Sequence, residues 1–304
     1  MTKKMKERID GIVSSLIDTM KQHGTSWTKC WKGGIRPVNL VTKSSYRGIN
    51  VLLLMYASLK RGFTSQHWAS MKQWNEKGYM VTGKSESIIF FKQVSKTKTD
   101  EVTGEEMQGD VYWVHRYYNV FNGSQAINKS YLSWITNTYR YTDGDEKAKT
   151  SKVVDIEAVD KYINNTKADI RHGGDKAFYT PTGDFIGMPN KSSFIDTDDA
   201  DATGNYYGTK LHELAHWTGH KTRLDRFGKA PASFGDDKYA YEELVAEISS
   251  TLLSIELGVD AEPRADHAKY LNNWLKVLEN DSKVLISAST KATQVLDYLN
   301  ELQE

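Results

Sequence analysis

The chain has 304 residues, 39% of them hydrophobic and 26% charged, with a formal net charge of +1. That length suits two domains, and the longest apolar run, Val51 to Ala57, is far too short to cross a bilayer. A lone cysteine, Cys30, excludes an internal disulfide framework and fits a reducing cytosol.

In chain order, Met5, Ile9, Ile12, Val13, Leu16, Ile17 and Met20 recur at helical spacing and predict a basic, amphipathic helix over 3–22. No apolar segment precedes a cleavage site, so no signal peptide is expected and the cytoplasm is the expected location. A loop with Trp27 and Trp31 and a turn near Gly33-Gly34 follow. Then come a helix from Ile49 to Lys60 and a short one from Trp68 to Glu76. Strands are expected at Ser87–Val94 and Val111–Phe121, with the charged stretch Ser95–Asp110 as an exposed loop between them. The second strand sets Val111, Trp113, His115 and Tyr117 against Tyr112, Val114, Arg116 and Tyr118. Aromatics therefore lie on both faces. One face can pack on helices while the other stacks on a ligand.

The small net charge hides an asymmetry. Residues 1–140 hold 21 basic and 10 acidic residues, a balance of +11, whereas the remainder holds 19 against 29, a balance of −10. Six of the eight Trp also fall in the first part. The polar run Arg140 to Thr150 marks the change, giving domains at 1–140 and 154–304 with a linker at 141–153. A basic domain rich in aromatics suits single-stranded DNA: cations follow the phosphates and rings stack on bases, at about 1–3 kcal/mol per base. Candidate phosphate contacts are Arg36, Lys43, Arg47, Lys84 and Lys92; candidate stacking residues are Trp27, Trp31, Tyr46 and Trp74. The competing reading is that these aromatics fill a core and the lysines form a solvated face.

In the second part, His212-Glu213-Leu214-Ala215-His216 reads as an H-E-x-x-H motif. A helix turns every ~3.6 residues, so the two imidazoles share a face and can share one metal ion, Zn2+ or another divalent transition metal such as Mn2+. Glu213, beside the first ligand, is the candidate catalytic base. Gly219 offers a stop after the helix. A third ligand is still needed. His220 lies about 6 Å further along a straight helix, and the metzincin spacing would end on Thr222, which is no ligand. Glu243 on a downstream helix is the gluzincin solution, with Glu242 its main rival, and Glu247 is placed to orient a ligand histidine. On that helix Tyr241, Leu244, Val245, Ile248, Leu252 and Ile255 form one stripe, opposite Glu243, Glu247, Ser250 and Ser254. Taken alone, the second stripe also reads as a solvated acidic face.

Several segments resemble plasmid and phage antirestriction proteins of the ArdC type: Pro37-Val38-Asn39, Tyr46-Arg47-Gly48-Ile49-Asn50, Tyr117 to Asn122, His172-Gly173-Gly174-Asp175, Tyr206 to His220, and Glu242 to Glu247. They occur in order over most of the chain. One departure is Ser70-Met71, where a pair such as Thr-Tyr is expected. The resemblance implies an α+β chain of two domains, a small α+β domain that binds single-stranded DNA followed by a zincin-like, gluzincin-type metallopeptidase domain. It also implies protection of incoming plasmid or phage DNA from restriction in a bacterial host. By position it gives His212, His216 and Glu243 as metal ligands and Glu213 as catalytic base. The segment Ala177 to Pro189 resembles a hairpin whose edge strand can pair with a peptide substrate.

Two functions follow. One is a metallopeptidase tethered to DNA, whose protein substrate is unidentified and includes host restriction components among the candidates. The other is a non-enzymatic protein that coats single-stranded DNA and keeps a structural or vestigial metal site. A nuclease fits less well, because such sites gather carboxylates around two hard ions. No membrane partner is expected.

Overall fold

In a computed structural model, the residues described are 36–99, 106–128, 153–197, 200–227, 237–259, 281 and 283–303, with single positions between 7 and 21 and between 274 and 279. The described positions between 7 and 21 are helical, and Ile17 among them is buried in the main core.

The first part is built on strands β1 (Val38–Asn39), β2 (His67–Ala69), β4 (Glu86–Thr99) and β5 (Glu106–Asn122), arranged in the order β1-β2-β5-β4. β1 and β2 are parallel and the other pairs antiparallel. β3 (Tyr79–Val81) pairs with β6 (Ala126–Asn128) in a separate ribbon. Helix α1 (Ile49–Arg61) packs against β4. There, the Asn50 amide bonds both the N–H and the C=O of Ile89 at 2.8 Å. β4 is the sheet's edge, so this side chain satisfies backbone groups that no further strand reaches.

Two expectations change here. The helix expected from Trp68 begins at Met71 instead, as α2 (Met71–Glu76). Trp68 and Ala69 belong to β2 and are fully buried. Ser70 caps α2 in a reciprocal box with Gln73, which fixes the start of the helix one residue later. The expected loop at 95–110 is largely strand, since the β4–β5 ladder runs out to Thr99 paired with Glu106. β-branched Thr97 and Thr99 alternate with Lys96 and Lys98, and that period of two suits a strand.

The second part begins with α3 (Glu157–Asn165) and a three-stranded sheet of β7 (Asp169–His172), β9 (Phe185–Met188) and β8 (Phe178–Thr180), in that spatial order. Three long helices follow: α4 (Ala202–Trp217), α5 (Asp237–Leu257) and α6 (Lys283–Glu301). Asp201 caps α4 by accepting from the Gly204 N–H at 2.7 Å. α5 packs between α4 and α6. It is buried on both stripes, through Leu244, Val245, Ile248 and Leu252 on one and Glu243, Glu247, Ser250 and Ser254 on the other, so the acidic face is not solvated.

The two parts meet on α5 and α6. Gly48, at φ +56°, donates its N–H to Thr293 Oγ1 at 2.8 Å, and a Cβ there would lie 3.3 Å from Thr290 Oγ1. Arg47 pairs with Asp297, and Arg36 with Glu256 at 2.6 Å. The expected linker, 141–153, lies outside the described residues except for Val153. Among the described residues, no helix is long and apolar enough to cross a membrane.

Candidate metal centre

α4 and α5 bring His212, His216 and Glu243 together, and these three form the metal-competent group found among the described residues. The two imidazole Nε2 atoms are 3.1 Å apart. Glu243 lies 3.5 Å from Nε2 of His212 and 3.6 Å from Nε2 of His216, using a different carboxylate oxygen for each. A tetrahedral ion with bonds of about 2.0–2.1 Å spaces its ligand atoms about 3.3–3.4 Å apart. The observed triangle therefore fits such an ion, and the donor set of two imidazoles and a carboxylate suits zinc. Glu213 follows His212 on α4 and is buried.

The far sides of both rings are held as well. Nδ1 of His212 lies 3.5 Å from Glu247, and Nδ1 of His216 lies 3.3 Å from Glu242. Carboxylates at Nδ1 fix the tautomer and leave Nε2 facing the site. Sequence reasoning set Glu242 as a rival ligand; here it touches the back of His216 instead. Arg226, which sequence reasoning missed, grips Glu242 with Nε at 3.1 Å and an Nη at 2.7 Å. The same guanidinium donates to Thr218 Oγ1 and to the Ala215 carbonyl at the end of α4. It reaches there because the chain folds back beyond Gly219, where a Cβ would lie 2.6 Å from Phe227 and 3.0 Å from Arg226. No local spacing signals such a contact.

Burial works against the charged forms of His212, His216, Glu242 and Glu243, and their partners outweigh it. Burial pushes the His216 imidazolium down, but Glu243 and Glu242 raise it to about 10. His212 is also raised, with Glu243 and Glu247 overcoming burial. Burial pushes Glu243 up, yet His216 and His212 hold it well below the usual carboxylate range. Glu242 is depressed too, by His216 and Arg226 against its burial.

His220 stands outside the group. It lies beyond the end of α4, with Nδ1 2.8 Å from Thr222 Oγ1. Beside the site, β8 is an edge strand that packs on α4. Its hairpin with β9 falls where the sequence resemblance places it. Arg223 ties that hairpin to the chain after α4: it pairs with Asp184, donates to Tyr179 Oη at 3.2 Å and donates to the Trp217 carbonyl at 2.7 Å.

The candidate DNA contacts are more scattered. Tyr46 is 7% exposed, and its hydroxyl donates to the Trp68 carbonyl at 3.2 Å. Trp74 is 2% exposed and donates to the Phe121 carbonyl at 3.0 Å. Neither ring has a face open to a base; both fill cores. Arg36 is largely covered in its pair with Glu256. Arg47 is exposed but paired with Asp297. Lys43 and Lys84 are exposed. Trp27 and Trp31 lie outside the described residues, as does the side chain of Lys92.

Family models and relatives agree with this layout. Residues 4–121 match the N-terminal domain of anti-restriction factor ArdC, and residues 157–291 match a zincin-like metallopeptidase domain. An uncharacterised protein, y4eC, of Sinorhizobium fredii is 31% identical over 271 residues, which is 88% of this chain and 81% of that one. A DNA primase TraC of Escherichia coli is 34% identical over 307 residues, but the chain spans only 26% of its length. The crystal structure of the antirestriction ArdC protein from plasmid R388, metal-free, is 31% identical with a TM-score of 0.74, covering 97% of both chains. The Mn(II)-bound form of that protein gives 28% and 0.71 over the same shares. With both halves matched in order and one solved structure aligned along nearly its whole length, the chain belongs to the ArdC family of antirestriction proteins.

Proposed function

We propose that this protein binds single-stranded DNA through residues 1–140 and hydrolyses peptide bonds at a divalent metal site in residues 154–304. In this reading it protects incoming plasmid or phage DNA from host restriction in the bacterial cytoplasm. The observation that carries the peptidase reading is the triangle of His212, His216 and Glu243, with Glu213 buried beside it. The DNA reading rests on the ArdC N-terminal match and on the +11 balance of residues 1–140.

His212, His216 and Glu243 would hold the ion, Zn2+ by donor set, with Mn2+ the alternative suggested by the R388 relative. When bound, the ion would supply a Lewis acid that acidifies water and polarises a carbonyl. Glu213 acts as general base, taking a proton from the attacking water and passing it to the leaving amine. Glu247 and Glu242 orient the two imidazoles from behind. The open edge of β8 offers backbone pairing to an extended peptide, which would align the scissile bond beside α4. The substrate is then a protein met on DNA, with host restriction components the first to try.

The test is proteolysis of a general substrate by wild type and Glu213→Gln, with and without single-stranded DNA. The variant should keep its metal and lose about 10²–10⁴-fold in rate. Equal rates would sink the peptidase reading. The +11 balance favours a second reading, in which the protein protects by coating DNA alone. That reading requires Glu213→Gln to retain full antirestriction activity in cells.

A further inference from the structure

The outer face of the β4–β5 hairpin carries two large rings that the core does not use. Phe90 is 49% exposed and Tyr118 46%. They meet edge to face, with centroids 5.4 Å apart and planes at 87°. The register sets Phe90 directly opposite Arg116, which is also exposed. Side chains alternate across a strand, so Phe90, Arg116 and Tyr118 share one face. On the other face Ile89 is buried and Tyr117 packs against the core. The aromatic face itself joins the core at one end, through Ile88. It is closed at Ile88, which is buried, and opens at Phe90.

We propose that Phe90 and Tyr118, with Arg116 beside them on the same face, form a stacking platform for the bases of single-stranded DNA. The inference rests on the DNA-binding reading given above and specifies its site. Charge selects this occupant. Arg116 supplies a cation beside the rings, and Lys84 is exposed on the approach to β4. The nearest carboxylate along that strand, Glu86, is neutralised by Arg61 at 2.8 Å. Aromatic faces with an adjacent guanidinium bind bases of any sequence, because every base presents a π-face. The platform also answers a question left by Tyr46 and Trp74: both are spent on packing, so the stacking needs other rings.

The full-length protein is titrated with fluorescently labelled oligo(dT) at several salt concentrations. Phe90→Ala and Tyr118→Ala should each weaken binding about tenfold. Tyr118→Phe and Phe90→Tyr, which keep a ring, should bind like wild type, whereas Tyr118→Leu, which keeps only apolar area, should not. Arg116→Gln should lower the slope of log affinity against log salt by about one. Both rings are half exposed, so thermal unfolding should show all variants folded. Wild-type binding with undiminished affinity in the alanine variants overturns the platform and leaves the DNA reading intact. Failure of wild type to bind oligo(dT) overturns the DNA reading, and the platform with it. Loss of self-association in the alanine variants at unchanged DNA affinity assigns the face to a second copy and also overturns the platform.

Discussion

Two regions of the molecule bury polar groups, and they do so to different ends. Between α4 and α5, Glu242, Glu243, Glu247, His212 and His216 are packed together, and mutual pairing keeps Glu242, Glu243 and the two imidazoles charged. Their backs are held by partners, while two Nε2 atoms and one carboxylate converge on a shared point. Between Tyr46 and Asn50 the polar groups converge on nothing. Tyr46 bonds the Trp68 carbonyl, Gly48 bonds Thr293, and Asn50 is consumed by the edge of β4. A buried polar cluster whose ligand atoms converge on one point is a site; one whose capacity is used up by backbone and neighbours is a joint.

Substitutions can break that contrast. The largest effect is expected at Arg226. Replacing it with Met removes one of the two cations that hold the buried Glu242, at a cost in stability approaching about 3–5 kcal/mol. It should also weaken metal binding about 10–100-fold, since His216 loses its orientation. Chemical denaturation and metal titration read both; a variant as stable and as metal-avid as wild type would mean the arginine holds nothing. Asn50→Ala comes next. It strands the N–H and C=O of Ile89, at about 1–3 kcal/mol each. DNA affinity per folded molecule should hold within about twofold, because Asn50 belongs to the joint. A selective loss of DNA binding at full stability would move it to the interface.

The smallest effect concerns protons. His216, raised to about 10, carries a proton at pH 8 in the metal-free protein. Metal uptake must displace that proton, so apparent affinity should rise up to about tenfold per pH unit below pH 10. The sign for stability is opposite. The raised imidazolium stabilises the metal-free fold fully below its unfolded pKa of about 6.5, and that contribution fades as pH climbs through about 10. Calorimetry in buffers of different ionisation enthalpy counts the released protons; none released at pH 8 would contradict the paired state.

The same contrast explains what the sequence makes legible. A helix forces ligand spacing, so His212, His216 and the Glu243–Glu247 repeat stand out on their own chain segments. Arg226 does not, because it reaches Glu242 only through a fold-back that Gly219 permits. Ser70 and Gln73 carry a readable capping box, which places the start of α2 at Met71 and leaves Trp68 to the sheet. The stretch at 95–110 reads as a loop by its charge, although its alternating Thr and Lys already hold the period of a strand. Aromatic residues are the least legible. Tyr46, Trp74, Phe90 and Tyr118 share one chemistry, and only burial separates the rings that fill cores from those left open.

The most direct test of the metal centre is elemental analysis of purified protein after loading with zinc or manganese and removal of excess ion. Wild type and Glu213→Gln should each retain one equivalent of metal, and Glu243→Gln and His216→Asn should retain almost none. Full retention in Glu243→Gln would contradict the centre as built from α4 and α5.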